Sequence, residues 1–553
     1  MSKLNFNSVL SNQFICIFII VLAAIAAFSN SLGNEFIVDD LIFIVDWPLI
    51  QDLHNFTEFF GQHNQPVGEE GVYSPLKTCL HALNYNLWGM NVFGHHLFGL
   101  LIHLIGTVFV FKIALRLTSN MPASFLCGLF FGIHPVHVEA ITPPTGSVDT
   151  SGVVWFFASF YFYTKAAGLK ARPGKDYYIA IFFALLAIFT HELVITLPLF
   201  FLFYEFCFNG RNSDKKNLFR RTLPFFIISF TYAFLKLNIA GSLARGKYIY
   251  GSFYLTMLIV IKALAKYVLI LFYPMALTSN HEISPGIFSV NWYYFDKAEV
   301  LMQSILDPQV ILSMLFTAAM VFIGIRFYKI NKVVTFCVGW FYISLLPVMN
   351  IIPTECYFAE RYLYPGSLAF CLLLSIMILS LVNQKNILRY FGVFVLVFYI
   401  GFFFRQTLMR NGQIKNELSL YEAEVKVNPR HPIMHRKLGF LYLRNGEPKK
   451  AIEQLETVIK LRPSDPDAHF ILGESYMEIK NFKKAMLNFE KAIEIDPNFA
   501  ESYYNLAGIY AFLGRQEEAS TYLHRSIKLF MESNRPDEAE KLIEAFYTFW
   551  GFK

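Results

Sequence analysis

Long apolar segments recur through the first 405 residues of this chain, and they constrain its fold more than any other feature. A helix that crosses a membrane needs about 20 predominantly apolar residues, and we identify about eleven segments of that kind. Charged residues form only 16% of the 553 residues, whereas average soluble domains carry about 25%. The sequence therefore predicts an all-α protein that begins with a polytopic membrane helical bundle.

The predicted spans follow the apolar runs along the chain. They cover residues 13–29, 96–117, 121–138, 147–165, 177–190, 191–208, 222–239, 308–328, 333–349, 362–382 and 387–405. Residues 253–275 are also apolar, but Lys262 and Lys266 interrupt the run. For this segment we predict a helix that is re-entrant or lies at the external face, with both lysines on its wet side.

The charges of the loops indicate which side of the membrane each loop faces. Basic residues crowd four connections, at residues 165–175, 211–221, 326–332 and 385–389. The positive-inside rule places these connections in the cytoplasm. Residues 30–76 hold no Lys or Arg, so we predict that this loop is external.

The C-terminal part of the chain repeats with a period of 34 residues. Four sets of residues keep this interval: Leu438, Leu472 and Leu506; Tyr442, Tyr476 and Tyr510; Ala451, Ala485 and Ala519; and Pro429, Pro463 and Pro497. This is the tetratricopeptide (TPR) pattern, in which each repeat is a pair of helices. Such arrays offer a concave face for a peptide or protein; the alternative is a docking platform without its own ligand.

These patterns divide the chain into three regions. We predict a membrane domain at 1–405, a linker helix at 406–430, and a soluble TPR α-solenoid at 431–553, with three repeats and a capping helix. The net charge is only +6, and no basic stripe is interleaved with aromatic residues. Nucleic acid is therefore not an expected partner, whereas membrane lipids are.

Asp39 and Asp40 lie about ten residues after the first span, in the loop predicted to be external. Two adjacent carboxylates just outside a bilayer are costly if they lose their water, so such groups usually have a task. One task is to orient and deprotonate an acceptor hydroxyl, as a general base does. The alternative is a solvated acidic loop, because other acidic residues share this segment.

Two more polar clusters lie at predicted external ends of spans. His134, His137 and Glu139 form the first, and a spacing of three allows both imidazoles to share a helix face. They are candidates for a metal site, for a phosphate site, or for a pair that satisfies itself; a divalent metal is allowed but not required. His191 and Glu192 form the second cluster, and ionisable groups at that depth indicate a polar cavity.

A fourth cluster, Glu360-Arg361-Tyr362, directly precedes another span. The forked guanidinium of Arg is well suited to binding phosphate. The alternatives are a structural Glu360–Arg361 pair and an interfacial anchor. Because all four clusters fall on the external side under one topology, they are typical of an active site assembled at a membrane surface.

At these residues the chain resembles the transmembrane and TPR-containing O-mannosyltransferases and their bacterial relatives, which have the GT-C fold. The matching motifs run in order as Val38-Asp39-Asp40, Tyr73-Ser74-Pro75-Leu76, Leu87-Trp88-Gly89, Gly94-His95-His96, His134-Pro135-Val136-His137-Val138-Glu139-Ala140, His191-Glu192 and Glu360-Arg361-Tyr362-Leu363-Tyr364. Single motifs are not specific, but the ordered set is.

The resemblance implies inverting transfer of a mannose-like hexose from a polyprenyl- or dolichyl-phosphate donor to a hydroxyl, with Ser or Thr of a protein as the acceptor. It implies that Asp39 is the base, that Asp40 supports it and that Arg361 holds the lipid phosphate. The remaining substrate-binding set is His134, His137, Glu139, Asp149, His191, Glu192, Glu360 and Tyr362. The sequence identifies no cofactor besides this lipid-linked sugar.

The eleven spans and the charges of the loops predict an integral, multi-pass membrane protein with an external C-terminus. Its active site and TPR domain would be periplasmic in a bacterial inner membrane, or lumenal in the endoplasmic reticulum. The chain departs from the family where three cations usually stand. Ser74 replaces Arg, His191 replaces Lys, and Val148 replaces a basic residue beside Asp149. These departures leave open a different donor or an inactive member.

Two other functions compete with the enzyme. The main alternative is a non-enzymatic, membrane-anchored TPR scaffold for envelope assembly, in which the repeats recruit partner proteins. The second is a transporter. Transport is disfavoured because charged residues do not recur near the middle of several spans, as they do along ion and substrate pathways.

Overall fold

The structure is a computed structural model, and it describes residues 12–61, 66, 72–166, 174–209, 215–284, 287–289, 303–533 and 535–550. The chain divides into two compact units, Met1–Asn416 and Glu417–Lys553. Helices dominate both units, which confirms the predicted all-α class. Within the described residues, the strands are β1 (Glu282–Ser284) and β2 (Ile287–Phe288), an antiparallel pair.

The first unit is built from apolar helices and short turns. Its α-helices are α1 (Gln13–Phe28), α2 (Pro75–Trp88), α3 (Val92–Thr118), α4 (Met121–Gly132), α5 (Val138–Ile141), α6 (Pro144–Ala166), α7 (Lys175–Thr190), α8 (Leu197–Tyr204), α9 (Lys215–Ala240), α10 (Phe253–Phe272), α11 (Pro308–Phe327), α12 (Lys332–Leu345), α13 (Leu363–Val382) and α14 (Ile387–Gln413). Short 3₁₀ or π turns cover Ser29–Ser31, Leu41–Val45, Pro48–Gln51, Leu53–Phe60, Pro135–His137, Glu192–Thr196, Glu205–Asn209, Ile249–Gly251, Leu346–Val348 and Glu360–Tyr362.

In the described part of the chain, eight helical segments are long and apolar enough to cross a membrane. A ninth results if α4 and the bent segment Pro135–Ile141 form one span. This is fewer than predicted, in part because α7 has 16 residues and α12 has 14. By contrast, α10 meets both criteria. Lys262 of α10 does not lie on a wet side; it is buried and paired with Asp307 at 2.7 Å.

Asparagine begins many of these helices. The side chains of Asn12, Asn91, Asn120, Asn331 and Asn386 each accept a hydrogen bond from a backbone N–H in the first turn of the helix that follows. The first N–H groups of a helix have no partner within it, and Asn is among the best side chains for capping them. The apolar helices therefore begin at defined residues.

An aromatic core joins α6, α8, α12 and α13. Trp340 is fully buried, stacks on Phe156 with ring centroids 5.4 Å apart, and donates to the Pro365 carbonyl at 2.8 Å. Close helix contact requires glycine at one point: a Cβ on Gly106 would lie 2.8 Å from the hydroxyl of Tyr364. This packing fixes the helix ends that carry the polar clusters.

The second unit consists of helices α15 (Glu417–Val427), α16 (Pro432–Arg444), α17 (Pro448–Leu461), α18 (Pro466–Glu478), α19 (Phe482–Ile495), α20 (Ala500–Phe512), α21 (Gln516–Glu532) and α22 (Pro536–Trp550). The 34-residue period appears as three helix pairs, as the TPR prediction requires. Gly473 shows why the pattern demands small residues, because a Cβ there would lie 2.6 Å from Phe489.

Candidate active site

Asp39 and Asp40 form a sharp turn beside the N-terminus of α6. Val38 adopts a positive φ of 46°, which is unfavourable for a β-branched residue and typical of strain held at functional sites. Asp40 is buried and accepts hydrogen bonds from the backbone N–H groups of Ile37 at 3.2 Å and Thr145 at 2.9 Å. Asp39 is exposed. The turn therefore presents one carboxylate and anchors the other.

The buried Asp40 carboxyl has a raised proton affinity. Burial raises the pKa of Asp40 to about 7, despite the opposing effect of the hydrogen bonds from Thr145 and Ile37. The neighbouring Asp39 carboxylate raises it slightly further. Asp40 thus titrates near neutral pH, in a position where it contacts backbone groups rather than solvent.

Arg361 is held by a carboxylate from a distant part of the chain. Its Nη1 donates to Glu139 at 2.7 Å, and the same carboxylate accepts the backbone N–H groups of Glu360 at 2.8 Å and Arg361 at 3.2 Å. About 40% of the Arg361 side chain is still exposed. Asp39 is close enough to act electrostatically on this guanidinium.

The Glu360 side chain points away from the neighbouring Arg361. Its carboxylate accepts the Thr278 backbone N–H and contacts Nε2 of His281, both at 2.7 Å, and the two side chains are buried. The partner of Arg361 is therefore Glu139, so the alternative of a Glu360–Arg361 structural pair is wrong. Glu360 instead ties the start of α13 to the loop that carries β1 and β2.

Glu192 forms a second cluster of opposite charges. Its carboxylate accepts hydrogen bonds from Lys236 of α9 and from Nη1 of Arg245, the latter at 3.2 Å. Arg245 also faces Glu355 at 3.6 Å. Although burial opposes the charge, the Glu192 and Glu355 carboxylates raise the pKa of Arg245 above its ordinary value. Two cations are thus fixed beside one another.

A cavity connects these clusters. It has a volume of about 920 Å³, including open solvent at its mouth. Its polar wall includes the cations Lys236, Arg245 and Arg361, the carboxylates of Glu192 and Glu355, and the side chains of His191 and Tyr362. Leu193, Ile195 and Val348 supply part of an apolar wall. The structure therefore brings together two of the predicted clusters, the one at 191–192 and the one at 360–362.

Asp149 lies in a neighbouring group of charges. Its carboxylate pairs with Lys77 of α2 at 2.9 Å. The Lys77 ammonium also lies 4.4 Å from the centre of the Phe43 ring. Lys77 and Asp149 both act electrostatically on His191, so this group adjoins the cavity through that imidazole.

His134 and His137 do not join the cavity. Both side chains are fully buried. His134 Nε2 contacts the Leu271 carbonyl at 3.1 Å, and His137 Nε2 contacts the Ser367 hydroxyl at 2.8 Å. These contacts favour a packing role over substrate binding. Across the residues that the structure describes, no group of three or more His, Cys, Asp or Glu side chains is arranged to hold a metal ion.

Sequence reasoning missed four residues of the site: Lys77, Lys236, Arg245 and His281. Lys236 had a usable signal, because it interrupts an apolar run and a cation within a span is usually functional. Lys77 lies outside every predicted span, so it has no signal of that kind. Arg245 and His281 lie in loops, and nothing in their local sequence marks them.

Comparison with known proteins supports the motif analysis. A protein O-mannosyl-transferase of Caenorhabditis elegans is 25% identical over 448 residues, which cover 76% of this chain and 59% of that protein. TMTC3 of Mus musculus and of Homo sapiens, also named protein O-mannosyl-transferases, are 24% and 23% identical over 76% of this chain. The predicted resemblance is confirmed. The chain spans only 48% of each TMTC3 protein, or about half its length.

The C-terminal repeats match other proteins independently of the membrane unit. Sequence profiles described as tetratricopeptide repeat cover residues 436–500 and 488–519. The crystal structure of MamA matches 23% of this chain and 82% of that chain at 24% identity, but its TM-score of 0.20 supports no conclusion.

Proposed function

We propose that this protein is a membrane glycosyltransferase of the inverting GT-C type. It transfers a mannose-like hexose from a polyprenyl- or dolichyl-phosphate to a hydroxyl, with Ser or Thr of a protein as acceptor. The names of its relatives support the sugar and the protein acceptor. The observation that carries the proposal is the cationic cavity, lined by Lys236, Arg245 and Arg361, together with the exposed Asp39, which acts electrostatically on Arg361. This reaction needs cations for the phosphate and a base for the acceptor.

Asp39 acts as the base in this proposal. The acceptor oxygen forms a bond to the anomeric carbon while the bond from that carbon to the phosphate oxygen breaks. The acceptor proton passes to the Asp39 carboxylate, and the lipid phosphate leaves with the electron pair. Asp40 is a positioning residue, since its two backbone hydrogen bonds fix the turn.

Arg361, Arg245 and Lys236 bind the donor phosphate. All three line the cavity, and cations placed where charge develops stabilise a departing anion. Arg361 has one Nη1 contact to Glu139 and an exposed remainder, so its fork has room for phosphate oxygens. Glu192 also lines the cavity and accepts hydrogen bonds from both Lys236 and Arg245, so it orients the two cations there.

An apolar cleft supports a lipid-linked donor. Its volume is about 590 Å³, including open solvent, and its lining includes Val338 and Phe341 of α12 and Ala369 and Phe370 of α13. The cationic cavity is lined by residues 347–348 and 361–362, which adjoin the same two helices. A donor whose phosphate contacts Arg361 can therefore place its chain along these helices.

The test uses purified full-length protein in lipid vesicles, with a panel of polyprenyl- and dolichyl-phosphate sugars and a Ser/Thr-containing peptide. We expect release of lipid phosphate and a peptide mass increased by one hexose with one of the donors. Asp39→Asn should lower the rate by about 10²–10⁴, the usual effect of losing a positioned base. Asp46→Asn, an exposed carboxylate of the same loop, should leave it unchanged.

A scaffold for envelope assembly is the second candidate, favoured by the TPR unit and by the missing family cations at Ser74 and Val148. The same variants separate the two functions. In cells that lack the natural protein, a scaffold carrying Asp39→Asn retains function, whereas an enzyme carrying it does not. If no donor is turned over and the Asp39→Asn variant keeps full function in cells, the proposed enzymatic function is wrong.

A further inference from the structure

Helix α2 carries its polar and apolar residues on the sides opposite to those expected of a helix in water. Lys77, His81 and Asn84 are buried within the protein. Leu83 and Leu87 lie outside, with 47% and 63% of their surfaces exposed. A helix on an aqueous surface directs its charged and polar residues outward. The outer face of α2 is therefore suited to an apolar environment.

This helix is too short to cross a membrane. Its 14 residues span about 21 Å at 1.5 Å per residue, whereas the hydrocarbon core is about 30 Å thick. Its apolar face continues through Trp88 and Met90 to Phe93, at the start of α3, and all three are exposed. Since α3 is long and apolar enough to span the membrane, the face ends where that helix meets the bilayer surface.

A second short segment presents a similar face. In Leu53–Phe60, the side chains of Leu53, Phe56 and Phe60 are exposed, and the rings of the two phenylalanines lie 5.4 Å apart. Phe59 faces inward and packs in one apolar cluster with Ala82 of α2. The two segments therefore share a core and turn apolar side chains outward.

We propose that these exposed side chains form a membrane-surface patch that lies in the headgroup region of the bilayer. The patch consists of Leu53, Phe56, Phe60, Leu83, Leu87, Trp88, Met90 and Phe93. Lipid is the occupant because the candidate spans α1 and α3 flank the segment on both sides. The patch is also rich in aromatic and leucine side chains, the composition of helices that lie in this interface.

Contact of the patch with lipid would also fix the depth of the Asp39–Asp40 turn. The turn is followed directly by Leu41–Val45, and Phe43 belongs to the same apolar cluster as Phe59 and Ala82. Anchoring that cluster at the bilayer surface holds the turn at a constant distance from the lipid. The proposal concerns membrane contact alone and stands whether or not the chain transfers a sugar.

The experiment measures the surroundings of single nitroxide labels on the full-length protein in phospholipid vesicles. Phe56→Cys and Leu87→Cys carry the labels in a Cys79→Ser background, because the other six native cysteines are buried. Glu58→Cys and Asp46→Cys, at exposed charged positions of the same loop, are the matched controls. Collision rates are compared for oxygen, which concentrates in lipid, and for a neutral nickel chelate, which stays in water.

We expect labels at 56 and 87 to collide several-fold more with oxygen than with the nickel chelate, and the control labels to show the reverse. Preferential collision with nickel at 56 and 87 places the patch in water and overturns the proposal. Protection from both reagents means that a protein covers the patch, and it overturns the proposal equally. Each position is informative alone if the other variant does not fold.

Discussion

Asp39 and Asp40 are adjacent in sequence, but their side chains have different surroundings. Asp40 is buried against backbone N–H groups, whereas Asp39 is exposed near Arg361. Val38, directly before the pair, adopts a positive φ of 46°. A single turn can thus provide one carboxylate for reaction and another for positioning.

The raised pKa of Asp40 predicts a dependence of stability on pH. Because the folded-state pKa is about 7 and an unfolded Asp titrates near 3.9, the native state binds more protons between these values. The stabilising effect of the neutral carboxyl is therefore present below about pH 4 and is lost as the pH rises toward about 7. The melting temperature of the natural protein should therefore be affected by this loss of stability at pH 8 compared with pH 5.

Asp40→Asn is the comparison that isolates this group, because an amide cannot ionise. The change in melting temperature between pH 5 and pH 8 should be smaller in this variant than in the natural protein. An identical change in both proteins would show that Asp40 keeps the same pKa in the folded and unfolded states.

Arg361 allows a test of phosphate recognition. Arg361→Ala should weaken binding of a polyprenyl-phosphate sugar more than Arg361→Lys does, since lysine keeps the charge but not the fork. Direct binding to the detergent-solubilised protein measures the three affinities. Arg444→Ala, in the TPR unit, is the control that should bind normally. Equal affinity of the natural protein and both Arg361 variants would show that Arg361 does not bind the donor phosphate.

At the scale of elements, the loop around β1 positions the start of α13. His281 and the Thr278 N–H both contact the buried Glu360 carboxylate, and Glu360 directly precedes Arg361. The conformation of the loop and the orientation of the guanidinium are therefore coupled through one side chain.

His281→Ala should lower stability by about 1–3 kcal/mol, the usual cost of removing a partner from a buried polar group. It should also weaken donor binding, because the start of α13 is less well held. His54→Ala is a matched control, since His54 pairs with Asp52 at the surface, where ion pairs contribute about 0–1 kcal/mol. Thermal unfolding and donor titration measure both effects; equal changes in the two variants would argue against the coupling.

At the scale of the whole molecule, the chain joins a membrane unit to a TPR unit, which divide at residues 416 and 417. We propose that the repeats bind the protein acceptor of the proposed reaction. Deleting residues 417–553 should then preserve transfer to a short peptide but reduce transfer to the full acceptor protein, because an effective concentration of order millimolar is lost. Equal losses with both acceptors would show that the repeats do not select the acceptor.

The same proposal requires the TPR unit on the side of Asp39. Lys483→Cys places an exposed thiol at the start of α19, in a Cys79→Ser background. An impermeant maleimide should label it in intact cells or sealed, correctly oriented vesicles. If labelling occurs only after lysis, the repeats lie in the cytoplasm and cannot present an acceptor to an external active site.

Features that depend on a local pattern of residues could be predicted from the sequence alone. Apolar runs predicted a helical membrane unit because a bilayer requires continuous apolar helices. The 34-residue period predicted the TPR unit because each repeat buries the same columns against its neighbours. The ordered motifs also singled out the Asp39–Asp40 pair and the residues at 191–192 and 360–362 as candidates for a site.

Which of these residues contact one another could not be predicted, because it depends on how the helices pack. The carboxylate that holds Arg361 comes from Glu139, 222 residues away, and Lys236 and Arg245 reach Glu192 from a different helix and a loop. The same packing buries His134 and His137, which the sequence offered as ligands. The packing of helices across the bundle determines which partner a charged group contacts, and the local sequence pattern does not specify that partner.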